Sequence, residues 1–247
     1  KLDVTSKADF NKINEDIDVV FFMAGITGTF DGFDSYENYY NINVLGLVNL
    51  LDYIKDMDKK PRIIFPSTRL VYKGQKNKKL REGAIKEPKT TYALTKIVCE
   101  QTLHLYQDIF DINYDVLRIC VPYGNLIDSN YSYGTLGFFI NRATNDKPIT
   151  LYGDGELRRT FSHIEDICNI FILVAKKNIL SNSIYNVGGY CYSLHEVAQK
   201  VASRYNAEIE FIDWPKNALK IESGDTIFNS EKLDLYLNFD KYKKIIL

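Results

Sequence analysis

A tyrosine and a lysine stand four residues apart in YALTK, Tyr92 to Lys96, inside a run from Thr90 to Phe110 whose composition predicts a helix. In a helix this spacing places both side chains on one face, one turn apart, so a phenol lies beside an ammonium. The positive charge favours the phenolate, and a tyrosine so placed can act as a base well below its free pKa of roughly 10. The stretch IIFPSTRLVY, Ile63 to Tyr72, ends one loop earlier and offers two hydroxyls, Ser67 and Thr68, behind an apolar run. Removing a proton from an alcohol needs such a tuned base and an orienting hydroxyl. The Tyr and Lys pair alone also fits a solvated helix face, because the spacing is common. The elements around it decide between the two.

The apolar run Val19 to Met23 is β-branched and aromatic, too short for a helix, and closes on Ala24 and Gly25, which predicts a buried parallel strand whose carboxyl end faces a ligand. Ser35 to Met57 reads as one long helix with apolar residues near a 3.6 period, interrupted by Asn43. Ile63 to Phe65 predicts a second strand and Tyr114 to Val121 a third, stopped by Pro122, Tyr123 and Gly124. Strands alternating with helices at these distances predict a parallel α/β sheet. After Pro122 the texture changes. The stretch from Asn125 to Gly134 is rich in Asn, Ser, Tyr and Gly, Thr135 to Asn145 suits a helix, and Ile149 to Tyr152 a short strand. GDGELRR, Gly153 to Arg159, reads as a tight turn backed by cations, TFSHIED from Thr160 as the opening of a helix to Lys177, and Ser183 to Gly189 as a strand. Ser193 with Glu196 three residues on predicts a capping box. Glu208 to Leu247 promises one strand and a poorly patterned tail.

The chain has 247 residues, 45% hydrophobic content and a formal net charge of -1. That suits a nucleotide-binding unit plus a smaller lobe, and gives no overall field to recruit nucleic acid or an anionic membrane. The four cysteines, Cys99, Cys120, Cys168 and Cys191, are scattered without metal-ligand spacing, which points to reduced thiols, a cytoplasmic setting and no metal site. No stretch of 18 consecutive apolar residues is present.

Taken together these segments resemble the extended short-chain dehydrogenase/reductases of the NAD-dependent epimerase/dehydratase family. DVVFFMAG resembles its DxVxHxAA strand end, NVLG at Asn43 to Gly46 its NVxGT, FPSTRLVY its FSSSxxVYG and YALTK its YxxxK. LRICVPYG, GDGELRRTFSHIED and YNVGG resemble later family segments in the same order. The resemblance implies a Rossmann-like parallel sheet over residues 1–121, with 161–187 returning to it, and a small mixed α/β substrate lobe over 122–160 and 188–247. It implies NAD or NADP as cofactor, a nucleotide-diphosphate sugar as substrate, and a homodimer joined through a four-helix bundle. Tyr92 would be the acid/base, Lys96 would lower its pKa and hold the nicotinamide ribose, and Thr68, at the family spacing to Tyr92, would bond the reacting hydroxyl with Ser67 as its competitor. Ala24, Gly25 and Asn43 would shape the cofactor side, and Arg159 would clamp the diphosphate, since a guanidinium fork matches phosphate oxygens. His163 would be structural.

The departures narrow this. The family opens with a glycine-rich loop, GxxGxxG, that seats the pyrophosphate on a helix N-terminus. The 247 residues contain no such loop, so about two βα units, on the order of 60 residues, have no counterpart. The chain as written is therefore expected to hold NAD weakly while keeping much of the sugar-nucleotide lobe. Arg69 and Leu70 stand where the 4,6-dehydratases carry Asp and Glu, which disfavours elimination of water, and Glu222 stands where many epimerases carry a second phosphate-binding arginine. The reading that emerges is a nucleotide-sugar 4-epimerase, with a keto-sugar reductase or a non-catalytic sugar-nucleotide-binding remnant as alternatives.

Overall fold

The computed structural model describes residues 1–13, 16–125, 134–177, 182–239 and 241–246. Most of the Asn, Ser, Tyr and Gly rich stretch, 126–133, lies outside them. The described residues divide into two compact units, one of Lys1–Val71, Lys86–Arg118 and Leu173–Tyr185, the other of Tyr72–Ile85, Ile119–Ile172 and Asn186–Leu247. In this division Leu173–Tyr185 falls with the first unit and residues 72–85 with the second. The reason is pairing: Lys79–Leu80 runs parallel to Ile227–Phe228, and Arg158–His163 is bonded to strands at Val121–Tyr123 and Tyr190–Ser193.

In the first unit, Val19–Phe21 lies parallel to Arg62–Thr68 with Val19 opposite Arg62 and Phe21 opposite Ile64, in a sheet that continues through Tyr114–Ile119 to Ser183–Asn186. The strand Arg62–Thr68 is buried at every residue but Pro66, as its apolar run requires. Its one buried cation, Arg62, donates to the carbonyls of Lys177 and Ala175 at 2.9 Å each and to that of Val174, and lies 3.5 Å from Asp115. A guanidinium there satisfies carbonyls that the end of the helix Ile164–Lys176 leaves open. Leu47, Leu50, Leu51 and Ile54 pack with Phe10, Ile63, Phe65, Cys99, Leu103 and Val116 into the core. Truncating one of these leucines to alanine would cost about 2–5 kcal/mol.

The helix expected over Ser35 to Met57 is broken into three: α-helix at Tyr36–Tyr39, a wider π-helical turn at Tyr40–Leu45, and α-helix again at Gly46–Ile54. The third expected strand also divides. It ends at Ile119, and Val121–Tyr123 pairs instead with Phe161–His163 of the second unit. TFSHIED does not open a helix. Arg158–His163 is a strand, because its backbone is taken by Val121–Tyr123 on one side and Tyr190–Ser193 on the other, and the helix begins at Ile164. The capping box is present: Ser193 Oγ accepts from the Glu196 N–H at 3.1 Å, and a Glu196 carboxylate oxygen accepts from the Ser193 N–H at 2.7 Å. The tail holds more order than its patterning suggests, with strands at Ile209–Ile212 and Ile227–Phe228 and helices at Lys216–Ile221 and Glu231–Leu237. Among the described residues no helix is long and apolar enough to cross a membrane.

Candidate active site

Thr90 starts the helix Thr91–Phe110: its backbone is extended and its hydroxyl accepts from the Ala93 N–H at 3.1 Å. This cap puts Tyr92 in the first turn and Lys96 one turn on, as the spacing requires. Tyr92 is half-buried, whereas Lys96 is buried with only 6% exposed. The ammonium donates to the Pro66 carbonyl at 2.8 Å, sits 4.3 Å from the Phe65 ring centroid and 5.8 Å from that of Tyr92. Loss of solvent destabilises the charged form and brings the Lys96 pKa from 10.5 down to about 8, against a smaller upward pull from Cys99 and from Glu100 one turn further on.

Ser67 and Thr68 end the neighbouring buried strand, and their hydroxyls part company. Ser67 Oγ donates to Glu100 Oε1 at 2.6 Å. Arg118 then grips the same carboxylate with two nitrogens, Nε at 2.9 Å from Oε1 and Nη2 on Oε2. Both ion-pair partners are 2% exposed, so the network is a desolvated tie between strand and helix. Thr68 Oγ1 accepts only a long bond, 3.3 Å, from the Leu70 N–H among the bonds described. Glu100 and Arg118 were not singled out from the sequence. The available signal was Glu100 at one turn from Lys96 and two from Tyr92, with Arg118 inside a strand whose one other charged residue is Asp115.

Asn43 sits in the π-helical turn and clamps the backbone next to Ala24 and Gly25. Its Oδ1 accepts from the Ile26 N–H at 2.8 Å, and its Nδ2 donates to the Ile26 carbonyl at 3.0 Å and to Thr95 Oγ1 at 3.1 Å. Thr95 in turn donates to the Tyr92 carbonyl at 2.8 Å, so a chain of polar contacts joins the strand end to the Tyr92 turn. A side chain at Gly25 would press on Asn43, with its Cβ 3.2 Å from Oδ1.

Arg159 belongs to the second unit. Its side chain is buried and its Nη2 pairs with Glu222 Oε2 at 2.9 Å, while Nε has no hydrogen-bond partner among the described residues. His163 is half-buried, accepts from the Glu165 N–H at 3.2 Å and meets the Tyr123 ring edge-on. Burial holds its pKa below the usual histidine value.

With the geometry in hand, comparison with known proteins places the chain. Residues 1–188 match the sequence profile of the NAD dependent epimerase/dehydratase family. The chain belongs to that family. It is 30% identical over 183 residues to an uncharacterized UDP-glucose epimerase of Bacillus subtilis, a match that takes in 74% of the chain and 56% of the relative. A putative UDP-glucose 4-epimerase of Methanocaldococcus jannaschii is 29% identical over 194 residues, covering 75% of the chain and 60% of the relative. The chain thus spans less than two-thirds of the length of these curated relatives. Among solved structures, a Bacillus cereus UDP-glucuronic acid 4-epimerase variant, in complex with a fluorinated UDP-glucuronic acid analogue and NAD, superposes with a TM-score of 0.80. It is 26% identical, with 94% of this chain and 73% of that one covered. The α/β Rossmann-like class read from the sequence is the fold these relatives share.

Proposed function

We propose that this chain serves an NAD-dependent nucleotide-sugar 4-epimerase, which oxidises a sugar hydroxyl transiently and restores it in the opposite configuration. The observation that carries the reading is the Lys96 ammonium, buried, lowered to about 8 and 5.8 Å from the Tyr92 ring on a helix capped at Thr90. Ala24, Gly25, Asn43, Tyr92 and Lys96 fit the nicotinamide end of the cofactor. An ammonium has three donors, and Lys96 spends one on Pro66 among the described residues, which leaves donors for ribose hydroxyls. NAD, when bound, supplies a reversible hydride acceptor.

The chain's own residues do the remaining work. Tyr92 takes the proton from the sugar hydroxyl and later returns it, and Lys96 favours the phenolate that does so. Thr68 orients the same hydroxyl. Ser67, whose proton goes to Glu100, is assigned to holding strand against helix rather than to substrate. Arg159 is assigned to the substrate diphosphate. Arg69 and Leu70, next to Thr68, provide no acid pair for expelling water, which supports epimerisation over dehydration.

The test is Tyr92→Phe in the protein supplied with NAD and UDP-sugars, with the epimers quantified by NMR. Turnover should fall by roughly 10² or more, the worth of a positioned acid/base, with NAD affinity nearly intact. A phenylalanine variant that turns over like the wild type removes Tyr92 from the chemistry. In a parallel assay supplied with NADH and a keto-sugar nucleotide, net consumption of NADH, with no 4-epimer formed in the first assay, would assign the reductase reaction instead.

A further inference from the structure

We propose that Glu222 is a built-in counter-anion that sets how strongly the Arg159 site takes phosphate groups. The inference rests on the reading of Arg159 as the diphosphate ligand and concerns what that ligand must overcome. Arg159 is not a bare cation awaiting an anion: its Nη2 is 2.9 Å from Glu222 Oε2, and the side chains are 9% and 15% exposed. A phosphate arriving there meets a pair with no net charge in a partly desolvated setting, where the repulsion from the carboxylate is weakly screened.

Glu222 cannot simply drift away, because the turn that carries it is fastened at several points. The Gly224 N–H donates to Glu222 Oε1 at 3.0 Å, from a glycine at φ +86°, a conformation that disfavours any residue with a side chain. The Gly74 N–H donates to the Ser223 carbonyl at 2.7 Å, so close that a Cβ on Gly74 would lie 2.2 Å from that oxygen. The Asp225 carboxylate accepts from the Asn77 N–H at 2.8 Å and from the N–H of Arg158, the residue before Arg159, at 2.9 Å. The turn and the strand bearing Arg159 are thus locked together before any ligand arrives.

The pairing is also one-sided. Glu222 takes an end nitrogen of the guanidinium, and Nε stays buried without a partner among the described residues. A buried N–H donor left unsatisfied is costly, so this edge is where a ligand oxygen gains most. A phosphate oxygen on Nε would still lie within a few ångströms of the Glu222 carboxylate. Glu222 therefore weakens phosphate binding without blocking it, and favours ligands whose remaining contacts compensate.

The experiment is calorimetric titration of the 247-residue chain with UDP, and with uridine as the phosphate-free control. Wild type, Glu222→Gln, Glu222→Ala and Arg159→Gln are compared, with circular dichroism melts to establish that each folds. Glutamine removes the charge and keeps one oxygen acceptor, which can serve Arg159 or the Gly224 N–H, where the carboxylate's two oxygens serve both. Glu222→Gln should bind UDP more tightly by on the order of tenfold, the effect of one nearby unit charge at an effective dielectric near 20 after screening. Glu222→Ala, which also removes the acceptor, should move in the same direction, and uridine affinity should not change. Equal UDP affinity in wild type and both Glu222 variants, with loss of binding in Arg159→Gln, overturns the counter-anion and leaves the diphosphate reading standing. If Arg159→Gln also binds UDP like the wild type, or if no form binds it, the reading of Arg159 falls and this inference with it.

Discussion

Replacing Lys96 by methionine should make the protein more stable, and the amount can be worked from its surroundings. The side chain is buried, and its pKa falls from 10.5 to about 8. At about 1.4 kcal/mol per pKa unit the charge costs the fold about 3 kcal/mol near neutral pH. Methionine fills similar space without the charge. It leaves the Pro66 carbonyl without its 2.8 Å donor, a loss of about 1–2 kcal/mol. The net gain expected for Lys96→Met is therefore about 1–2 kcal/mol near neutral pH. The pH dependence follows from the lowered value. Between about 8 and 10.5 the unfolded chain holds the Lys96 proton and the folded one has released it, so this group's contribution to stability rises with pH through that window. Below about 8 the penalty is constant. The advantage of the variant should accordingly be full at neutral pH and gone by about pH 10.5. Wild type and variant must be compared at each pH, because burial raises the Cys99 thiol from 9.0 to about 12 and pulls stability the other way at high pH in both. Urea unfolding followed by circular dichroism supplies the numbers. A variant less stable than wild type at neutral pH, or a difference that ignores pH, would refute the reasoning.

Two further outcomes are expected. Glu100→Ala strands the buried Arg118 guanidinium and frees Ser67, which should cost about 3–5 kcal/mol by chemical denaturation; a loss under about 1 kcal/mol would show that water or another carboxylate replaces it. The helix Thr91–Phe110 leaves Leu94, Leu105 and Ile109 exposed, which suits pairing with a second copy, so sedimentation should show a homodimer that Leu105→Glu with Ile109→Glu converts to monomer. A wild type that sediments as a monomer at tens of micromolar counts against it.

What could be read from the chain was whatever depends on local spacing. Tyr92 and Lys96 share a face because four residues are one helical turn, and Ser193 with Glu196 makes its capping box for the same reason. What could not be read depends on partners far along the chain. Thr160 to His163 has no local feature that marks it as strand; its conformation comes from Val121–Tyr123 and Tyr190–Ser193. Ser67 and Thr68 differ in sequence only by their spacing to Tyr92, and the bond that sets their hydroxyls apart comes from Glu100, 33 positions on from Ser67. Arg159 was legible as a cation in a turn context. That Glu222 pairs with it was not, since the two stand 63 positions apart.

The π-helical turn at Tyr40–Leu45 makes this segment intolerant of changes in length. In an α-helix each residue advances the side chains by about 100° around the axis. Deleting one residue between Tyr40 and Leu45 would let the helix run on regularly, with better backbone bonding, yet it would rotate Asn43 out of phase with either Tyr39 or Leu47, both buried. One of the two faces would then lose its seat: the Ile26 backbone held by Asn43, or the core packed by Leu47. The wide turn is the phase offset that lets one helix serve both, so neighbouring sequence can change by substitution far more freely than by insertion or deletion.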